Sequence, residues 1–171
     1  GMLYEGGIRE PMIVSWPGVI AAGSICDIPV MGTDLYPTFL ELAGANEPEH
    51  HVLDGVSLMP LLTTSGSLKR ETLYWHFPVY LEGGTGSGRM RATPCAALRH
   101  RDWKLIEYFE DGAIELFDLQ ADIGERHNLA ELRPDLVQQL YSLMLQWREA
   151  LDVIVPEELN AAYRHDEQLD D

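Results

Sequence analysis

Apolar and polar positions along the chain fall into clear periods in its second half and into broken runs in its first. The clearest period is helical. In PDLVQQLYSLMLQWREA, from Pro134 to Ala150, one stripe holds Leu136, Leu140, Leu143 and Trp147, widened by Val137 and Met144. Gln138, Gln139, Ser142, Gln146 and Glu149 take the opposite face. Pro134 stands at the start, where its missing N–H costs little. The spacing predicts an amphipathic helix lying on an apolar surface. Upstream, four runs read as strands: TLYWHF (Thr72–Phe77), CAALRH (Cys95–His100), DWKLIEYF (Asp102–Phe109) and IELFDL (Ile114–Leu119). In WKLIEY, Trp103, Leu105 and Glu107 alternate with Lys104, Ile106 and Tyr108. Such alternation is expected of a sheet buried mainly on one side. The links are short, Arg101 in one case and a turn at Asp111-Gly112 in another, and they favour antiparallel order.

The first half is less regular. PMIVSWPG (Pro11–Gly18) is an apolar run bounded by prolines and glycine, which suits a buried strand. TDLYPTFLELAG (Thr33–Gly44) predicts a helix capped by Asp34, with Pro37 in the first turn and Gly44 at the stop. Leu35, Phe39 and Leu42 share its expected buried face. LDGVSLMPLL (Leu53–Leu62) fits a packed loop with a single helical turn. GGTGSGRM (Gly83–Met90) reads as a flexible loop between the first two strands of the sheet. The predicted class is α/β, or α+β if the sheet part is taken alone: a four-stranded antiparallel sheet carrying a packed C-terminal helix, preceded by a strand and a helix.

Charge narrows the function. Among 171 residues, 12 Lys and Arg face 28 Asp and Glu, a formal net charge of −16. That excludes a nucleic-acid binder, which needs a basic face to displace counterions, and equally adsorption to anionic lipid. Six acids against Arg164 alone make the segment from Pro156 a solvated acidic tail. No run approaches the ~18 apolar residues of a spanning helix, and no signal peptide is visible at the start, so no membrane partner is expected. A lone Gly before Met2 reads as a protease scar, so the natural chain is expected to start at Met2. The hydrophobic share of 46% is that of a globular protein.

Chemistry is sparse. Cys26 and Cys95 have no ligand-spaced partner and read as small buried hydrophobes, although a disulfide is not decided by spacing and the compartment stays open. The glycine-rich loop lacks the G-K-[ST] ending of a phosphate cradle. His50 and His51 are adjacent in a loop. Asp118 and Asp122, with Glu115 and Glu125 nearby, lack calcium-loop spacing and read as a turn. His76, between Trp75 and Phe77, is either a strand histidine with a satisfied hydrogen bond or a substrate contact. No catalytic constellation and no metal site emerge from the residues themselves.

The order of motifs carries more. LYEGGIREPMIVSWPGVIAAGS resembles the Y-E-G-G-x-R-x-P segment of type I sulfatases, members of the alkaline phosphatase superfamily. TDLYPTFLELAG, LDGVSLMPLL, LYWHFP, AALRHRDWKLI and ELFDLQADIGERHNLA follow in the order and spacing of the C-terminal portion of bacterial arylsulfatase-like proteins. The resemblance runs from Leu3 to about Trp147. It implies residues 1–66 as a remnant of the large sulfatase α/β domain, 67–155 as the C-terminal subdomain and 156–171 as the acidic tail. The family's C-x-P-S-R or S-x-P-S-R motif, whose Cys or Ser becomes formylglycine, is absent from these residues. So are its paired calcium-binding aspartates, and the family's sulfate-binding Lys would fall before Met2.

The resemblance therefore implies a sulfuric ester hydrolase whose calcium and formylglycine belong only to a full-length parent. This chain has no catalytic residue, metal site or cofactor of its own and is expected to be inactive alone. In an intact parent it would help shape the pocket for a sulfated small molecule or polysaccharide. His76, Arg89 and Arg91, bordering the Gly83–Gly88 loop, are the candidate substrate-binding residues because cations at the mouth favour an anionic substrate. The alternative is a free-standing binding or oligomerisation module derived from a sulfatase. The Met12–Leu42 region, a strand without sheet neighbours and a helix without a partner, is expected to form a homodimer through residues 12–42.

Overall fold

A computed structural model describes residues 2–47, 49–63, 66–82 and 90–156. The chain divides into two compact units, one made of residues 1–10 together with 72–171 and the other of residues 11–71. The first ten residues thus belong with the sheet that follows much later in sequence, not with the segment they lead into.

The larger unit is built on four strands, β1 (Thr72–Phe77), β4 (Cys95–His100), β5 (Trp103–Tyr108) and β6 (Ile114–Asp118), hydrogen-bonded in that order and all antiparallel. Between β1 and β4 the chain makes a separate small pair, β2 (Leu81–Glu82) with β3 (Met90–Ala92). Register is set by pairs such as Phe77 with Cys95, Cys95 with Tyr108 and Glu107 with Ile114. The β4–β5 link is tight because Arg101 adopts φ 55°. At the next turn Gly112 takes φ 69° at no steric cost, and the Asp111 carboxylate accepts the Ala113 N–H.

Helix α4 (Pro134–Leu151) covers one face of the sheet. Leu140 and Met144 are fully buried there against Ala96, Leu98, Leu105 and Leu116, with Leu136, Val137 and Leu143 packed around them. The Trp147 ring stacks on Tyr74, centroids 4.8 Å apart and planes 2° off parallel. The sheet is not buried mainly on one side, as alternation predicts. Its second face holds Cys95, Ala97, Ile106, Phe117 and Leu119, closed over by Leu3 with Tyr4 and Ile8. The cover is the Y-E-G-G segment itself, which ends in a single turn, α1 (Glu5–Ile8). A polar segment from the far end of the sequence is invisible to local periodicity.

The smaller unit carries a 3₁₀ turn (Gly32–Asp34), helix α2 (Leu35–Leu42) and a one-turn helix α3 (Met59–Thr63). Gly44 ends α2 at φ 63°. Asp34 is not the side-chain cap of α2. Its carboxylate accepts the N–H groups of Met31 (2.7 Å) and Val56 (3.0 Å) and both terminal nitrogens of Arg70 (2.5 and 2.7 Å). The Thr38 hydroxyl donates to the Asp34 carbonyl and accepts the Leu58 N–H, drawing the L-D-G-V-S-L loop onto the helix start. Gly55 belongs there because a Cβ would sit 2.1 Å from the Thr33 carbonyl oxygen. Two expectations fail in this unit. Residues Pro11–Gly18 form no strand and Ile13 is 93% exposed; Pro11 and Pro17 lack the N–H donors a ladder needs. Phe39 and Leu42 are exposed, and the buried face of α2 is Pro37 and Thr38. No described helix is long and apolar enough to cross a membrane.

Candidate functional site

The Y-E-G-G segment meets the sheet through polar bonds as well as apolar ones. Lys104 stands on the same face of β5 as Ile106 and Tyr108 and is wholly buried. Its Nζ lies 3.0 Å from Glu5 Oε1 and 2.8 Å from Glu125 Oε1. Arg99 approaches Glu5 Oε2 at 3.6 Å, and the Glu5 N–H donates to Glu125 Oε2 at 2.5 Å. Two cations and two carboxylates balance in the interior, as buried charge requires. Glu125 delivers its carboxylate from φ 52°, a left-handed conformation uncommon outside glycine. Gly7 is required where it stands, because a Cβ would lie 2.2 Å from the Met2 carbonyl oxygen.

Beside this cluster, Tyr4 Oη lies 2.7 Å from Tyr108 Oη and donates to Glu115 Oε2 at 2.6 Å; Tyr108 Oη is 3.1 Å from the same oxygen. Burial first, and then the hydrogen bond to Glu115, push the Tyr4 phenol up to about 12. Burial and the bond to Tyr4 push Tyr108 up as well. Both hydroxyls therefore stay protonated at neutral pH and serve as donors. The two rings, with Met2, Leu3, Ala92, Thr93, Cys95 and Ile106, line a half-open cavity of about 160 Å³. No charged side chain is among the lining residues.

His76 is not in this cavity. It pairs with Ala96 on the helix-covered face. Its Nε2 donates to the Ile154 carbonyl (2.9 Å), its ring rests 5.5 Å from Phe109, and its Nδ1 is buried with no partner among the described residues. Arg89 lies outside the described residues. Arg91 falls in β3, whose backbone alone is described at that position. Pattern reading missed Lys104, Glu5, Glu125, Tyr4 and Tyr108. A lysine in phase with apolar neighbours on a strand was the available signal, since such a residue must find a carboxylate.

A second buried ion pair, Arg148 with Glu107, ties α4 to β5; Tyr141 donates to the same glutamate at 2.8 Å. Among the described residues no group of three or more His, Cys, Asp or Glu could hold a metal ion. The buried carboxylates Glu5, Asp34, Glu107 and Glu125 already face cations. This donor set does not fit calcium.

A family model described as N-sulphoglucosamine sulphohydrolase, C-terminal, matches residues 1–150. The chain is 35% identical over 161 residues to a sulfatase of Formosa agariphila, covering 88% of this chain and 28% of that protein. It is 33% identical over 165 residues to arylsulfatase A of Homo sapiens, covering 85% and 31%. A solved structure of a protein in complex with its substrate D-glucosamine-2-N,6-O-disulfate superposes with a TM-score of 0.66 at 26% identity, over 85% of this chain and 29% of that one. The chain thus spans less than a third of the relatives it matches.

Proposed function

The chain belongs to the N-sulphoglucosamine sulphohydrolase C-terminal family, and from that premise we propose that it serves a sulfuric ester hydrolase by shaping the substrate side of its pocket. The match over residues 1–150 is the observation that carries this reading. The sulfated glucosamine held by the structural relative supports a sulfated amino sugar as the substrate class. The neutral, tyrosine-walled cavity supports a role in seating the sugar rather than the sulfate. Neither Cys26-Asp-Ile-Pro nor Cys95-Ala-Ala-Leu supplies a C-x-P-S-R nucleophile. The 171 residues therefore do not hydrolyse sulfate esters by themselves. In the proposed parent, formylglycine and calcium come from other parts of the protein, and no step of the reaction is assigned to groups of this chain.

A chimera tests the proposal. Residues 1–150 replace the matching portion of the Formosa agariphila sulfatase, with folding verified by circular dichroism. Retained hydrolysis with an altered ratio of kcat/KM between p-nitrophenyl sulfate and a 6-O-sulfated glucosamine supports it. A folded chimera with the host's unchanged preference refutes the pocket-shaping role. Turnover of p-nitrophenyl sulfate by the 171-residue protein alone refutes its expected inactivity.

A further inference from the structure

We infer that Lys104 is a positioning residue: anchored to Glu5 and Glu125, it sets where the Met2–Tyr4 wall stands, and with it the width of the tyrosine-lined cavity. The inference deepens the pocket-shaping role and rests on it for its consequence in catalysis. Its structural half stands on geometry alone.

Helix α1 is a single turn of four residues, far below the length at which a helix holds itself. Leu3, Tyr4 and Ile8 contact the sheet through apolar surface, and burial of that kind is non-directional. A short segment held only in that way has several seats of similar energy. The Tyr4 hydroxyl, bonded to Glu115 and Tyr108, fixes the ring tip, and the charged cluster fixes the backbone that carries it. Glu5 is reached by Lys104 at 3.0 Å and by Arg99 at 3.6 Å, while its own N–H bonds Glu125. Buried ion pairs often gain little stability over well-packed apolar replacements, and fixing one arrangement among several is a role attested for them elsewhere. Met2, Leu3 and Tyr4 form one part of the cavity lining; Ala92 at the end of β3, Thr93 in the link after it and Cys95 at the start of β4 form another. Glu5 follows Tyr4 directly, so its anchorage to Lys104 fixes the spacing of the two parts.

Cys95 reports the spacing. It lines the cavity, is 3% exposed, and is the remaining thiol once Cys26→Ser is made. Lys104→Met alone would leave Glu125 without a cation and Glu5 with Arg99 alone, so the anchor is removed as Lys104→Met/Glu5→Gln/Glu125→Gln, which takes out the buried charges and leaves Arg99, its side chain 18% exposed, to water. Glu5→Gln alone is the conservative variant, since its amide oxygen still accepts from Lys104. N-ethylmaleimide labelling of Cys95 is measured against the global unfolding equilibrium obtained from urea titration. The triple variant is expected to label at least tenfold faster than its global unfolding allows, and Glu5→Gln to label like the parent. Labelling that tracks global stability in every variant overturns the inference. If the triple variant does not fold, Glu5→Ala, which leaves the Lys104–Glu125 pair in place, is read in the same way.

In the chimera, the triple variant is expected to raise KM for the sulfated sugar at least fivefold with kcat within twofold. A fall in kcat at constant KM overturns the positioning role. A chimera without sulfatase activity sinks the functional reading, and the labelling result then decides the inference by itself.

Discussion

Replacing Asp34 with Ser separates two accounts of one residue. As an N-cap, Asp would be exchangeable with Ser at almost no cost, because their capping strengths are similar. The structure gives Asp34 another task. It is fully buried and accepts four hydrogen bonds, two from Arg70 and one each from Met31 and Val56. Removing one partner of a buried ion pair costs about 3–5 kcal/mol, since the other charge is left uncompensated. Arg70 keeps some access to water, with its side chain 14% exposed, which favours the lower end. About 3 kcal/mol is more than a hundredfold in an opening equilibrium. Hydrogen exchange at Leu58 reads this without a direct artefact, because its N–H bonds Thr38 Oγ1 and not Asp34. Exchange at Leu58 should therefore accelerate at least a hundredfold in Asp34→Ser, and acceleration below threefold refutes the reasoning. The effect has a pH signature. Burial raises the Asp34 carboxyl, but the bonds from Arg70, Met31 and Val56 outweigh it and leave it below its ordinary value. The folded state then binds fewer protons than the unfolded one between the two values. The stabilisation is complete above the unfolded value and is lost as pH falls through the folded one. The difference between parent and variant should narrow below about pH 4.

Three further outcomes follow from the same geometry. Leu140→Ala, deleting a fully buried contact between α4 and the sheet, should cost about 2–5 kcal/mol in urea unfolding; a loss under 1 kcal/mol would mean α4 does not carry the core. Tyr4, pushed up to about 12, binds its proton more tightly in the folded state, so its contribution to stability should be constant to about pH 10 and fall from there to 12. Tyr4→Phe should flatten that decline in thermal melts, and an unchanged slope would contradict the assignment. The apolar surface of Met12, Ile13, Val14, Phe39 and Leu42 is proposed to drive dimerisation through residues 12–42, so a monomer of 19.3 kDa by light scattering at micromolar concentration would refute it.

Period and turn chemistry made the four main strands and α4 legible, because Leu98, Leu105, Leu116, Leu140 and Met144 occupy regular positions that burial demands. The β1 and β4 boundaries agree with the sequence reading residue for residue. What escaped was non-local. Nothing near Lys104 in sequence shows that Glu5, ninety-nine positions away, neutralises it. The covered second face was missed for the same reason, since Glu5, Gly6 and Gly7 do not look like a lid. Pro11–Gly18 misled because apolar content was taken as burial, whereas a strand also needs a neighbour for its backbone. For His76 the sequence offered two readings, and the structure gives its ring a hydrogen bond to the Ile154 carbonyl and a contact with Phe109. Six motif blocks in order identified the family where no single residue could.

The pairing of Phe77 with Cys95 closes the base of the excursion that carries β2 and β3. Everything between those two residues can lengthen or shorten without shifting the register of the main sheet, because the ladder is fixed below it. Doubling the length of a flexible loop costs only about 0.6 kcal/mol of closure entropy. Ala92 and Thr93, at the end of that excursion, line the cavity, so variation there reaches the wall while the rest of the fold stays constant. Lineages sharing this sheet can therefore vary the lining of that cavity through insertion and deletion alone, at a cost in stability smaller than that of one core mutation.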